Sequence, residues 1–522
     1  MGCWLRWGWG TRLASLRQKQ FFFEKKNMRC DQRGPHEQKF FASFFQKRSA
    51  FFFCEQETSG MDAAVETIEV PARASLRTCL TFGLGTTGTA ILLNTVVVYF
   101  PALMTTVLGQ SAASAGLLVM ISKLYDVVAD VVIGIASDRT RSAWGRRRPY
   151  LLAGALVSTF AFIAIFAPPS LHGIWLFAYM AAVLIAYSTG YSLFNVPYTA
   201  MPAESIAGYH ERTRVLSWRA FFAAIGQLVA FTGAAYILKV GGGGAPSFAL
   251  MGVIGGLLIG ATMGMTFWGS FALPAVVPDA PTPPRARVGF AEAVSTMMSN
   301  RPFVILMASK TLQFIALSGL SSTSLLFRLE VLKIGYQGQI VVTLAQNVTS
   351  AVVMVLWVKL SRVIGKRWAY IIALAGYGAA NASWLWAAPG DAQWTLWVRG
   401  AVTGAAAAGA ILMSFAMYPD VIEWDRRRTG LRREGIYASA YAVLEKAGFA
   451  AGPALFGIYL TASGYVPSMR GHLAAQPASA VTALYAGAGV IPVALLAGAI
   501  ALLLFYNLDE RRLSAGPGAR DG

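Results

Sequence analysis

Two carboxylates, Asp126 and Asp130, interrupt an apolar run that extends from Ile121 to Gly134. On a helix, residues four apart share a face, with Cβ atoms about 5–6 Å apart. At bilayer depth each charge costs at least ~2.5–3.5 kcal/mol. Two neighbouring carboxylates also repel, and burial adds to the cost of charging them. A monovalent cation or a proton relieves both penalties, and the pair then titrates as a unit. Lys123, three residues before Asp126, lies on the same face. The pattern predicts a cation site, H+ or Na+, at Asp126 and Asp130. A plain ion pair with Lys123 or another buried base is the alternative.

Other charges fall inside apolar stretches. Lys446 could neutralise the aspartates when no cation is present, or else snorkel to the membrane edge. Glu445 beside it points elsewhere, because adjacent helical residues do not share a face. Arg219 could donate hydrogen bonds to a polar solute, or serve as an ordinary interfacial arginine. Lys310 and Arg399 are further buried cations to which the sequence assigns no partner.

These residues need helices to position them. Windows of about 20 apolar residues suffice to cross a bilayer, and twelve occur here. Six lie near 81–107, 113–136, 150–167, 174–198, 217–238 and 248–272. Six more lie near 303–326, 339–360, 369–388, 394–417, 437–461 and 481–506. The expected architecture is an all-α membrane protein with two six-helix bundles, 78–273 and 303–508. A proline-rich cytoplasmic linker, 274–302, joins them, and tails at 1–77 and 509–522 flank them. Loops after even-numbered spans are rich in arginine, whereas those after odd-numbered spans carry only Lys239, Arg328, Lys333 and Arg470. The positive-inside rule then places both termini in the cytoplasm of an inner-membrane protein. A weak repeat relates the end of the second span to that of the eighth, and Glu204 after the fourth to Asp420 and Glu423 after the tenth. Such duplicated bundles surround a central cavity in alternating-access carriers.

Composition agrees. The 522 residues are 56% hydrophobic and only 13% charged, against about 25% charged in soluble domains. Net charge is +19, but the cations sit between apolar spans, so no nucleic-acid partner is expected. Three of the four cysteines lie in the first 60 residues, which leaves Cys79 and no disulfide framework. Those 60 residues scatter phenylalanines among basic and polar residues without helical periodicity. Translation is expected to start at Met61, with a cytoplasmic tail as the alternative. No P-loop, HExxH or Rossmann glycine pattern occurs, and the histidines at 36, 172, 210 and 472 are dispersed. An ATP-driven pump, an enzyme, a cofactor and a metal centre beyond Na+ are therefore not expected.

Several segments match a known pattern: KLYDVVAD (123–130), SDRTRSAWGRRRPY (137–150), NVPY (195–198) with Glu204, and TGLRREG (429–435). Together they resemble the glycoside–pentoside–hexuronide:cation symporter family, the melibiose-permease-like branch of the major facilitator superfamily. The resemblance runs from about residue 78 to about residue 512. It implies a cation-coupling set of Asp126, Asp130, Ser192 and Lys446. It places Arg219, Asn195, Lys123 and Tyr198 on the solute side. Asp138, Arg139, Gly145, Arg146, Arg147, Arg148, Glu204, Asp420, Glu423 and Arg432 are expected to form conformation-gating loops. The chain departs from the pattern where the melibiose permease has sugar-gripping acids, here Ala90 and Asn195, and a stacking tryptophan, here Thr199. Ala129 replaces the usual asparagine between the aspartates and removes an oxygen ligand for sodium, which favours a proton.

The resemblance thus implies symport of a sugar or glycoside with a monovalent cation by a monomer in a bilayer. The lost acids keep open a less polar solute, such as a lysolipid or aromatic glycoside. A non-transporting receptor or scaffold is the reading from another class, and the retained intramembrane charges argue against it.

Overall fold

The computed structural model describes residues 75–205, 209–273, 290–431, 433–469, 471 and 473–508. The segment containing Met61, the proline-rich stretch 274–289, Arg432 and the tail from 509 onward lie outside the described residues. Among the described residues, twelve helical rods follow one another. The first six are α1 (Leu76–Val107), α2 (Ala112–Arg139), α3 (Arg148–Phe166), α4 (Gly173–Ser205), α5 (Glu211–Val240) and α6 (Ala245–Ala272). The second six are α7 (Arg301–Val331), α8 (Gly335–Ile364), α9 (Lys366–Ala382), α10 (Gln393–Thr429), α11 (Glu434–Ala462) and α12 (Ala478–Leu504). Nine of these are long and apolar enough to cross a membrane on those measures alone. α2 and α11, which carry the charges above, and the shorter α9 complete the bundles.

Local sequence sets the helix ends. Ser111 caps α2, its hydroxyl accepting from the Ser114 amide at 3.1 Å, and so satisfies an amide that the first turn leaves unpaired. Asn300 caps α7 in the same way, with Pro302 in the first turn. Some rods outrun their apolar windows. α4 continues through Pro197 and Pro202 to Ser205, and α10 through Pro419 to Thr429. Glu204, Asp420 and Glu423, expected in loops, therefore sit on helical turns. Backbone hydrogen bonding does not stop where hydropathy falls. A ten-residue helix, Phe290–Ser299, likewise occupies part of the expected linker. Arg328, expected in a loop, lies in a π-helical turn of α7 and is buried.

The internal repeat is visible in the backbone. A π turn ends α1 at Leu103–Val107 and another ends α7 at Phe327–Val331, the corresponding place in each half. Such turns are rare and recur at functional positions.

The two halves meet at the arginine-poor end. The Ser468 amide donates to Thr105 O at 2.7 Å and the Gly471 amide to Thr106 O at 3.0 Å. Lys239 Nζ reaches Gln337 Oε1 at 2.8 Å, and the Thr461 hydroxyl accepts from the Ala113 amide at 2.9 Å. Gly116 lets α2 cross α11 here, since a Cβ at that position would overlap the Pro453 carbonyl. Close backbone approach over small residues is the usual means of association in lipid, where no hydrophobic force joins helices.

Candidate cation and solute site

α2 brings Ser122, Asp126 and Asp130 onto one stripe at successive spacings of four, and α4 opposes them with Ser188 and Ser192. The Ser122 and Ser188 hydroxyls lie 2.8 Å apart, and Ser188 also donates to Ser122 O at 3.1 Å. Ser192 Oγ donates to Asp130 Oδ1 at 2.6 Å. Tyr125 and Thr189 hydroxyls add a 3.0 Å contact beside this seam.

Each aspartate has its own lysine. Lys123 Nζ donates to Asp126 Oδ2 at 3.0 Å, and its ammonium lies 5.3 Å from the ring centre of Tyr187 and 5.9 Å from that of Tyr191. Lys446, from α11 in the other half, donates to Asp130 Oδ2 at 2.5 Å and to the main-chain oxygen of Asp126 at 3.0 Å. Its partner is thus Asp130 rather than the aspartates jointly. Asp126 Oδ1 is buried and has no hydrogen-bond partner among the described residues. The Asp126 side chain is 2% exposed, against 30% for Asp130 and 20% for Lys446. Asp130 is therefore the outer, accessible member, and Asp126 the sealed one. Each aspartate is thus paired with one lysine, and Asp126 Oδ1 is left as an acceptor without a partner among the described residues.

Ser192, Asn195 and Tyr198 recur every third residue along α4 and connect this cluster to Arg219. The Arg219 guanidinium carbon lies 4.1 Å from the centre of the Tyr198 ring. Tyr198 is held by its hydroxyl, which donates to Phe82 O at 2.6 Å, while Thr86 Oγ1 donates to Arg219 O at 2.8 Å. Arg219 Nε is buried without a hydrogen-bond partner among the described residues, so a donor remains available. Asn195 is half-buried. Lys310 acquires partners that the sequence did not reveal. Its Nζ donates to the Tyr441 hydroxyl at 2.9 Å and lies 4.2 Å from the Phe415 ring centre. Arg399 pairs with Asp391 at 2.8 Å.

The basic end of each bundle carries a matching ion pair. Gly145, with φ of 90°, turns the α2–α3 loop through the left-handed region that favours glycine. Arg146 and Arg147 follow it. Arg147 Nε donates to Glu204 Oε2 at 2.7 Å, its Nη2 also bonds Glu204 Oε1, and Nη2 reaches Asp138 Oδ1 at 3.0 Å. Arg146 joins Glu204 at 2.8 Å. Arg148 ties α3 to the end of α6 through Ser270 O at 2.9 Å and Leu273 O at 2.7 Å. Arg139 is exposed. In the other half, Lys366 bonds Asp420 at 2.6 and 2.9 Å. Glu423 instead bonds Arg426 and Arg427 on its own helix. Asp420 is therefore the counterpart of Glu204.

Glu204 lies beyond Pro202, where the apolar span ends. Burial by itself would raise its carboxyl, but the hydrogen bonds from Arg147 and Arg146 outweigh burial and hold it below its ordinary value of 4.5.

Ser122, Ser188, Tyr187, Tyr191 and Lys366 were not singled out from sequence as members of these clusters. The spacing-of-four stripe could have found the serines. The repeat that relates the ends of the second and eighth spans could have found Lys366, while the tyrosines carry no signal short of the fold.

Residues 81–510 match the family described as MFS/sugar transport protein. An uncharacterized symporter of Synechocystis sp., sll1374, is 27% identical, the match covering 83% of this chain and 94% of that one. The isoprimeverose transporter of Lactiplantibacillus pentosus is 23% identical over 78% of this chain and 83% of its own. Among solved structures, the nucleoside transporter NupG superposes with a TM-score of 0.59 at 14% identity, covering 82% of this chain and all of that one. A bacterial homologue of the human lysosomal transporter Spinster gives 0.58 at 15% identity, over 82% and 94%. At those identities the structures speak to the fold alone. The chain is an integral membrane transporter and belongs to the MFS/sugar transport protein family.

Proposed function

We propose that this protein moves a sugar or glycoside together with a proton, by alternating access, through an inner membrane with both termini in the cytoplasm. The observation that carries the reading is the pairing of Asp130 in α2 with Lys446 in α11 at 2.5 Å. That bond joins the two halves at the accessible end of the cation cluster. Protonation of Asp130 would remove the charge that holds Lys446, which frees the halves to move. Cation arrival and rearrangement are thereby one event. A proton is favoured over sodium because a lysine already pairs with each aspartate, and Ala129 contributes no oxygen ligand. The solute would lie between Arg219, whose Nε is unpaired, and Asn195 on α4.

The main-chain contacts between the halves lie at the arginine-poor end, which supports a state opening toward the basic end. Reconstituted protein should accumulate a sugar or glycoside from a panel when an inward proton gradient is imposed. A sodium gradient should not replace it. Uptake indifferent to both gradients, or unchanged in Asp130→Asn, would overturn the reading.

A further inference from the structure

Arg328 belongs to neither the cation cluster nor the solute side. It lies in the π turn that ends α7 and is 7% exposed. Its Nη1 donates to Gln339 Oε1, a neutral acceptor. Its Nε is buried and has no hydrogen-bond partner among the described residues. A guanidinium keeps its charge in a protein, and an unpaired buried charge is costly until a counter-charge reaches it.

Neither neighbouring carboxylate pairs with Arg328, although Glu330 keeps its Oε2 buried without a hydrogen-bond partner among the described residues. Asp391 takes Arg399, and Glu330 accepts the Tyr465 hydroxyl. Arg328 and Arg399 flank the same indole, their guanidinium carbons 5.4 and 5.2 Å from the Trp384 ring centre. The surroundings of Trp384 therefore hold two guanidiniums against one paired carboxylate.

Arg328 lines a partly open pocket of about 70 Å³ among α7, α8, α9, α10 and α12. Ser324, Gln346, Tyr377 and Asn381 line it as well. Asn381 is fully buried, and its Oδ1 has no partner among the described residues, while its Nδ2 donates to Tyr377 O at 2.7 Å. Arg328 and Asn381 thus line one pocket, and each keeps one buried polar atom without a partner among the described residues. A water needs about 10–15 Å³ of such space, so a small anion with one or two waters fits. Solute pockets begin near ~300 Å³, so this cavity is too small for the transported solute.

We propose that the cavity binds one small monovalent anion of halide size. Arg328 supplies the charge, and the hydroxyls of Ser324 and Tyr377 supply further donors. A water on the anion satisfies Asn381 Oδ1. The site lies within one bundle, so the anion acts as a fixed counter-charge that stabilises the α7–α9–α10 contact.

The test uses the full-length protein in detergent at constant ionic strength. Chloride, bromide and formate are each exchanged for gluconate, which is too large to enter. Chloride should raise Tm saturably by ~2 °C or more, and bromide should quench a saturable share of tryptophan fluorescence. Trp384→Phe should remove that share, Arg328→Gln should remove both effects, and Arg328→Lys should restore part of them. Formate acting like chloride supports a site that also admits a carboxylate, and formate without effect supports a site restricted to halides. Equal Tm in chloride and gluconate, or saturable quenching that survives Arg328→Gln, would overturn the proposal. If Arg328→Gln fails to fold, bromide-soaked crystals of the unaltered protein decide it by an anomalous peak beside Arg328. A cavity without that peak overturns it.

Discussion

Lys446 in α11 donates to Asp130 in α2 at 2.5 Å while also bonding the main-chain oxygen of Asp126 at 3.0 Å. One ammonium therefore touches both aspartate positions and both halves of the protein. Removing one partner strands the other, so Lys446→Gln and Asp130→Asn should each cut gradient-driven uptake at least ~10-fold, equivalent to ~1.4 kcal/mol. The double variant should regain thermal stability over Lys446→Gln alone, because no charge is left unpaired. Strictly additive losses in Tm would show that the bond carries no coupling.

Asp126 is the sealed member of the pair, and its salt bridge with Lys123 is internal to α2. Asp126→Asn leaves the Lys123 ammonium buried without its counter-charge. This variant should lose gradient-driven accumulation and also lower Tm. Asp130→Asn, at the more exposed position, should lower Tm by less. The comparison is made by scanning fluorimetry, and the reverse order would contradict the burial gradient.

Glu204 provides the pH dependence. Its carboxyl is held below 4.5 by Arg147 and Arg146. Its stabilising contribution is therefore full above the unfolded value of 4.5 and lost as pH falls through the lower folded value. The Tm difference between the unaltered protein and Glu204→Gln should hold constant from neutral pH to about pH 5 and shrink below it. A difference that widens on acidification would sink the assignment.

Lys366 and Asp420 repeat in the second bundle what Arg147 and Glu204 do in the first. Lys366→Asp or Asp420→Lys alone should slow transport. Combining the two reverses the pair without removing it and should recover most of the rate, as measured by uptake in proteoliposomes. A double variant no faster than the singles would mean that the charges act independently.

Arg219 stacks on Tyr198 with an unpaired Nε. Lysine keeps the charge but not the planar fork. Arg219→Lys should raise KM for the solute several-fold while changing the maximal rate less. A change confined to the maximal rate would place Arg219 in conformational change instead.

The twelve rods were legible because apolar windows of span length and alternating loop charge are written locally. The α2 carboxylates were legible because a charge inside such a window is rare. Helix ends were less so: Glu204 and Asp420 read as loop residues because hydropathy marks the membrane, not the hydrogen-bonded backbone. Arg328 read as a loop arginine for the same reason.

Spacing alone sets Asp126 and Asp130 on one helix face, because residues four apart align in any α-helix. How those charges pair depends on packing between the halves. Lys446, expected from sequence to neutralise the aspartates, stands 316 positions from Asp130, and Lys310, to which the sequence assigns no partner, ends among aromatic rings. Partner choice depends on where two separately folded bundles bring their side chains, and that is a property of packing rather than of any segment.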